Sequence, residues 1–213
     1  MRRPPRPRPC PKVLLVEGND DLHVVANVCK VQGLPEKAFW IEDKQGYETL
    51  IAELATELDA SELACLGILV DADIDAARRW AALRNRLIAL GYDHAPQDPY
   101  PEGIVLAKEG KPNVGVWMMP DNTLPGMLED FVAYLVPNDN SLWVRAQACV
   151  RQIPPDERPF SEHHLSKVHI HTWLAWQEEP GKPMGQAITA TYLKPGAPQV
   201  TLFVEWMRRL FQI

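Results

Sequence analysis

Cysteine is scarce and scattered. The four in the chain, Cys10, Cys29, Cys65 and Cys149, form no C-x-x-C pair, which excludes a zinc ribbon and a disulfide framework. Long apolar runs are missing as well: none reaches the roughly 18 residues that a membrane span needs. The basic start MRRPPRPRPCPK is broken by prolines and holds no signal-peptide apolar region, so the expectation is a cytoplasmic protein with no membrane partner. No G-x-x-x-x-G-K-[ST] loop occurs, so the sequence carries no phosphate-cradling ATPase motif. An excess of positive charge is also lacking. The formal net charge is −6, and Arg2, Arg3, Arg6 and Arg8 lie in the first eight residues, which leaves −10 on the rest. A body that acidic is not a nonspecific DNA-coating protein. It remains compatible with a nuclease, because bound divalent ions invert the local charge.

What is present is a core-forming composition. The chain has 213 residues, 46% of them hydrophobic, enough for one α/β domain with a small helical extension. Residues 1–11 read as a disordered Pro/Arg tail. An alternation follows. Val13–Val16 is apolar throughout, as in a buried parallel strand; Asn19 is placed to cap a helix running to about Val31. Ala38–Ile41 reads as a strand, Tyr47–Leu58 as a helix and Cys65–Val70 as a strand. Asp75–Leu90 reads as a helix, Ile104–Leu106 and Val114–Met118 as strands joined by a Glu109-Gly110 turn, and Met127–Leu135 as a helix. Strands alternating with helices predict a mostly parallel sheet covered on both faces, over residues 12–136. Residues 137–213 hold no convincing strand. Leu142–Ile153, Ser161–Gln177 and Val200–Phe211 read as a helical extension packed on that domain, with apolar content suited to a dimer or partner interface.

Functional groups on such sheets gather beyond the carboxyl ends of the strands. Glu17 leaves the first strand, and Asp21 follows four residues on. Asp71 and Asp73 leave the third strand as D-A-D, and an i, i+2 pair on extended chain points two carboxylates the same way. Glu129 and Asp130 open the helix after the last strand. Converging carboxylates repel and are costly unless a cation joins them. Hard oxygen donors suit Mg²⁺ or Mn²⁺, and two such ions about 3.5–4 Å apart can clamp a phosphodiester. Acids at helix starts also cap free N–H groups, and that reading is the better one for Asp20, Asp75 and Asp130. Glu17, Asp71 and Asp73 follow strands directly, where no cap is needed, and are the candidates for metal and catalysis.

V-L-L-V-E-G-N-D-D at Val13–Asp21, followed by I-L-V-D-A-D at Ile68–Asp73, resembles the Toprim domain shared by topoisomerases, bacterial primases and OLD-type (overcoming lysogenization defect) nucleases. Glu17, Asp71 and Asp73 match its Glu and D-x-D positions. The OLD-type variant adds an acid four after the Glu, matched by Asp21, a G-x-x-E-D-like segment, matched by Gly126–Asp130, and a downstream lysine, for which Lys167 is the candidate. M-P-D-N at Met119–Asn122 and the segment His171–Pro180 are similar to small standalone Toprim-related bacterial proteins. The resemblance covers about residues 12–135 and implies a Toprim/Rossmann-like fold. It implies metal-dependent phosphodiester chemistry on DNA or RNA with one or two Mg²⁺ or Mn²⁺ ions. The metal ligands it implies are Glu17, Asp21, Asp71, Asp73 and Glu129, with Lys167 catalytic. Because OLD-type enzymes carry an ATPase, it also implies a separate ATPase partner, as in a defence-system effector. The chain is too short for a topoisomerase's tyrosine-bearing domains and has no primase zinc module.

Two rivals stand beside this. One is a Toprim-like subunit without catalysis. The other is a response-regulator receiver, in which Asp71 accepts a phosphoryl group and Lys108 is the switch lysine; Gly18, where a receiver has a second acid, counts against it. His164, Lys167 and His171 fall on one helical face, where a solvated face is the simpler reading of the histidines. Arg78, Arg79, Arg84 and Arg86 share the helix after D-x-D and read as a mostly solvated face with a phosphate contact as the alternative. Trp173, Trp176 and Trp206 read as core or interface residues.

Overall fold

The computed structural model of the chain describes residues 8–213. Five strands form one sheet: β1 (Lys12–Val16), β2 (Trp40–Asp43), β3 (Cys65–Asp71), β4 (Ile104–Leu106) and β5 (Asn113–Met119). Their order is β2-β1-β3-β5-β4. All neighbours are parallel except β4, which runs antiparallel to β5. The central strands β1 and β3 are apolar on both faces, and that is what parallel strands covered on both sides require.

One face is covered by α2 (Tyr47–Leu58) and α3 (Ala76–Ala89), whose Leu50, Leu54, Trp80, Leu83 and Leu87 meet Val13, Leu15, Leu66 and Ile68. The opposite face carries α1 (Asn19–Val31) and α4 (Leu128–Ala133), with α6 (Leu165–Leu174), α7 (Met184–Thr189) and α8 (Pro198–Phe211) in the same core as Leu14, Val16, Leu69 and Trp117. α5 (Ser141–Arg151) packs on α6. The fold is therefore the α/β class expected, a mostly parallel Toprim/Rossmann-like sheet with helices on both faces and a helical C-terminal part.

That C-terminal part is built into the sheet. Gly67 of β3 and Gly115 of β5 are register partners, and a Cβ at Gly115 would lie 2.5 Å from Leu210 Cδ2 of α8. The two glycines leave a trough that seats Leu210 and Phe211. Trp206, also on α8, stacks on Phe203, lies tilted against Trp117 and donates its indole N–H to Ile104 O at 2.9 Å. Trp173 is likewise buried and donates to Asn140 Oδ1. Trp176 is 40% exposed and belongs to no core.

Several boundaries differ from expectation. β2 begins at Trp40, two residues late, because its register with β1 sets Trp40 against Val13 and Asp43 against Val16. Its charged end is held by a part-buried ion cluster: Lys44 contacts Glu42 at 3.0 Å, Glu53 at 2.8 Å and Glu57 at 2.7 Å, and Arg8 braces Glu42 and Glu57. Residues 8–11 are thus held in place rather than part of a disordered tail, while residues 1–7 of that reading lie outside the described residues. Gly18, not Asn19, is the N-cap of α1. The expected helix from Ser161 starts only at Leu165, after a 3-10 turn at Glu162–His164. No helix among the described residues is long and apolar enough to cross a membrane.

Candidate metal centre

Adjacent parallel strands place their exits side by side. Glu17 follows β1 directly, and Asp71 ends β3. The two are joined: Asp71 N–H donates to Glu17 Oε1 at 2.8 Å. Asp71 Oδ1 accepts in turn from Leu128 N–H at 3.0 Å, the first residue of α4, which carries Glu129. Asp21, in the first turn of α1, accepts from Gly18 N–H at 3.0 Å. Lys167 of α6 closes the group from the other side, 2.9 Å from Glu129 Oε1. Glu17, Asp21, Asp71, Glu129 and Lys167 are therefore brought together at the carboxyl edge of the sheet from five different segments.

These carboxylates feel one another. Asp21 and Glu129 are only 8% and 3% exposed. Burial first, and then the charges of Asp21, Glu17 and Glu129, push the Asp71 carboxyl up to about 8. Burial, with the charge of Glu17, pushes Asp21 up to about 7. Glu17 is also raised by burial, against the opposing effects of the Asp71 N–H and the Arg79 charge. Lys167 is raised, chiefly by its hydrogen bond to Glu129. Burial is the larger cause and mutual repulsion the smaller, as for carboxylates gathered in a part-buried cluster with few cations of its own.

Asp73 stands one step apart. The extended geometry expected for D-A-D ends at Asp71, since Asp73 has φ +54°. The cause is a backbone bridge: Asp73 N–H donates to Gly126 O at 2.9 Å, and Gly126 N–H to Asp73 O at 2.7 Å. Asp73 is ion-paired with Arg79 and lies 3.6 Å from His163 Nε2. Gly126 is required there. Its φ is +146°, and a Cβ would fall 2.7 Å from Asp130 Oδ2. Asp130 itself caps α4 by accepting from Met127 N–H, and Asp75 caps α3 by accepting from Arg78 N–H; both are structural. Asp121 is structural too, its carboxylate taking the N–H groups of Thr123 and Leu124 and the Tyr134 hydroxyl.

Among the described residues, no three His, Cys, Asp or Glu side chains are closed tightly enough to hold an ion as they stand. The reason is visible in their partners: each carboxylate leans on its own N–H or cation. Glu17, Asp71 and Glu129 each spend one oxygen this way, and the donor set left over is oxygen-only, anionic and mostly buried. Such a set fits Mg²⁺ or Mn²⁺ and does not fit Zn²⁺.

A family model described as "Protein of unknown function (DUF3226)" matches residues 11–212. The chain belongs to the DUF3226 family. No curated protein and no solved structure matches it. The family match spans the sheet, the carboxylate group and α8 alike, so in this DUF3226 chain the C-terminal helices fall within the same unit as the acidic edge.

Lys108 lies elsewhere. It follows the antiparallel β4 and precedes β5, at the amino edge of the sheet, where it is bonded to Gly91 O and 3.5 Å from Asp93. A receiver's switch lysine must reach the phosphoacceptor, and Asp71 is at the opposite edge. His164 is in the 3-10 turn before α6, so it does not continue the helical face of Lys167 and His171. Arg84 is occupied with Ala95 O, and Arg78 is exposed. The residues that sequence reasoning left unresolved are Arg79 and His163, which meet at Asp73. Four arginines on one helix gave no sign of which one turned inward, and His163 was one of several histidines.

Proposed function

We propose that this DUF3226 chain is a Mg²⁺- or Mn²⁺-dependent phosphodiesterase acting on nucleic acid through a Toprim-like acidic edge. The observation that carries the proposal is the coupled group Glu17–Asp71, with Asp21 and Glu129 raising or sharing its charge and Lys167 drawn onto Glu129. A phosphodiester is anionic and cannot approach such a group unaided, whereas a divalent cation both neutralises it and is held by it.

In this reading Glu17 and Asp71 hold the ion, with Asp21, Glu129 and Asp73 as further oxygen donors. A bound ion supplies Lewis-acid polarisation of a phosphoryl oxygen and a water made acidic enough to attack at neutral pH. The chain's own residues do the rest. The Asp71 N–H holds one oxygen of Glu17 and leaves the other for the ion. The Leu128 N–H does the same for Asp71, and this ties the position of α4 to that of β3. Lys167 carries the positive charge assigned to offset the negative charge that grows on the phosphoryl oxygens in the transition state. Because these groups act mainly on the transition state, losing one lowers turnover far more than substrate binding.

A cytoplasmic setting, a separate ATPase partner and a dimer through the late helices belong to the same proposal. The test is incubation of plasmid, linear DNA, single-stranded DNA and tRNA with Mg²⁺ or Mn²⁺, for wild type and Glu17→Ala, with and without a candidate ATPase. Cleavage by wild type and its loss in Glu17→Ala is the expected result. If nothing is cut, the chain is better read as a catalytically silent subunit; if Glu17→Ala cuts as fast as wild type, the cleavage belongs to something other than this edge.

A further inference from the structure

Two cations flank the carboxylate group, one on each side of the sheet. Lys167 approaches from the α4/α6 side. Arg79 approaches from the α2/α3 side, where α3 follows the D-A-D turn directly. The surroundings of Arg79 are unlike those of a solvated surface arginine. Its side chain is 15% exposed. Its guanidinium lies over the Tyr47 ring, 3.8 Å from the ring centre. Its ion-pair partner among the described residues is Asp73, and its charge is felt by Glu17. Tyr47 is the first residue of α2, and Gly46 before it has φ +117° and donates its N–H to Glu17 O at 2.7 Å. The ring that supports Arg79 is therefore tied to the backbone of the leading carboxylate.

We propose that Arg79 is the phosphate-binding residue of this edge, a guanidinium pre-oriented on Tyr47 to receive a phosphoryl oxygen of the substrate. The inference rests on the phosphodiesterase reading for its substrate and adds the group that grips it. Arg79 has five N–H donors in a planar fork, and the Asp73 carboxylate engages one end of it. The Asp73 side chain is 40% exposed, and a bound cation would compete with Arg79 for its oxygens. Drawing Asp73 away frees the fork without freeing the arginine, because stacking on Tyr47 holds the guanidinium plane in place. A lysine at this position keeps the charge but loses both the stacking plane and the two-point grip on phosphate.

The experiment uses the full chain in Ca²⁺ and reads binding, not cleavage. Two probes are titrated, inorganic phosphate by calorimetry and a short labelled single-stranded DNA by fluorescence anisotropy. The variants are Arg79→Ala, Arg79→Lys, Tyr47→Phe and Tyr47→Leu. Arg79→Ala and Arg79→Lys are expected to weaken phosphate binding about 10-fold, the worth of one charge-assisted two-point contact. Tyr47→Leu is expected to fall between them and wild type, and Tyr47→Phe to bind as wild type. Free guanidinium ion should restore part of the loss in Arg79→Ala, which a merely structural role would not allow. If Arg79→Ala proves unfolded, the lysine and Tyr47→Leu variants carry the comparison. Wild type that binds phosphate no better than Arg79→Lys overturns the proposal. Arg79-dependent phosphate binding with no DNA binding by wild type leaves Arg79 assigned and removes the nucleic-acid reading instead.

Discussion

Replacing Asp71 by asparagine is expected to make the metal-free protein more stable at pH 8 while destroying its ability to hold an ion. Asp71 is pushed from 3.8 up to about 8 by burial and by the charges of Asp21, Glu17 and Glu129. The sign follows from where the proton sits. Between 3.8 and about 8 the unfolded chain has released this proton and the folded chain keeps it. Stability therefore falls as pH rises through that window, and the loss is complete above it. From pH 5 to pH 8 that is three pH units at about 1.4 kcal/mol each, or roughly 4 kcal/mol. Asp21, raised to about 7, loses its proton as part of the same interacting set, so the two shifts are not added. Asparagine keeps the oxygen that accepts from Leu128 N–H but never ionises. At pH 8 Asp71→Asn should therefore recover about 2–4 kcal/mol, on the order of 5–10 °C in Tm for a chain of this length. At pH 5 the two proteins should differ little. Thermal unfolding in a chelating buffer at both pH values measures this. An Asp71→Asn protein less stable than wild type at pH 8, or a difference between them that does not grow with pH, would contradict this assignment of the proton. His169, whose pKa is lowered by burial, adds stability with the opposite sign as pH rises, and the comparison between variants cancels it.

Gly126→Ala is expected to cost about 2–4 kcal/mol, since its φ of +146° is strained for alanine and its Cβ would press on Asp130 Oδ2. Denaturant unfolding reads the cost, and calorimetry should show weaker Mn²⁺ binding because Asp73 and Glu129 are both set by that turn. Lys167→Met leaves Glu129, 3% exposed, without its cation. The loss should be only about 1–2 kcal/mol because Lys167 is half exposed, and Mn²⁺ should restore it; a loss that Mn²⁺ does not reverse would place Glu129 outside the ion's reach. Gly115→Ala should cost about 1–3 kcal/mol by overpacking against Leu210, and Leu210→Ala in the same chain should recover part of it. Additive losses in that pair would contradict the seating of α8 on the two glycines.

The order of elements was legible because burial writes itself into period. Val13–Val16 and Cys65–Val70 are apolar on both faces, and Leu50, Leu54, Leu83 and Leu87 keep helical spacing. The acids Glu17, Asp21, Asp71 and Glu129 were legible for a related reason: a parallel sheet sends all its strand exits to one edge. What the sequence hid was decided by contacts between distant segments. β2 lies two residues later than read because its register pairs Trp40–Asp43 with Val13–Val16, and its charged end meets Lys44 and Arg8, 34 residues before Glu42. α7 is six residues long and was missed; it forms where Gly185 lets it approach the backbone of His23, to which a Cβ would come within 2.8 Å. Asp73 was expected to point with Asp71, and the Gly126 bridge turned it toward Arg79 instead. No local pattern announces a bridge between residues 73 and 126.

If the carboxylates at this edge form a divalent-cation site, a crystal soaked in Mn²⁺ will show the ion there. An anomalous peak is expected between Glu17 and Asp71, with oxygens of Asp21, Asp73 or Glu129 completing the shell. The Asp73–Arg79 pair should be altered wherever Asp73 turns to the ion. Ordered Mn²⁺ at other positions with this edge empty, at a concentration that saturates the binding isotherm, would contradict it.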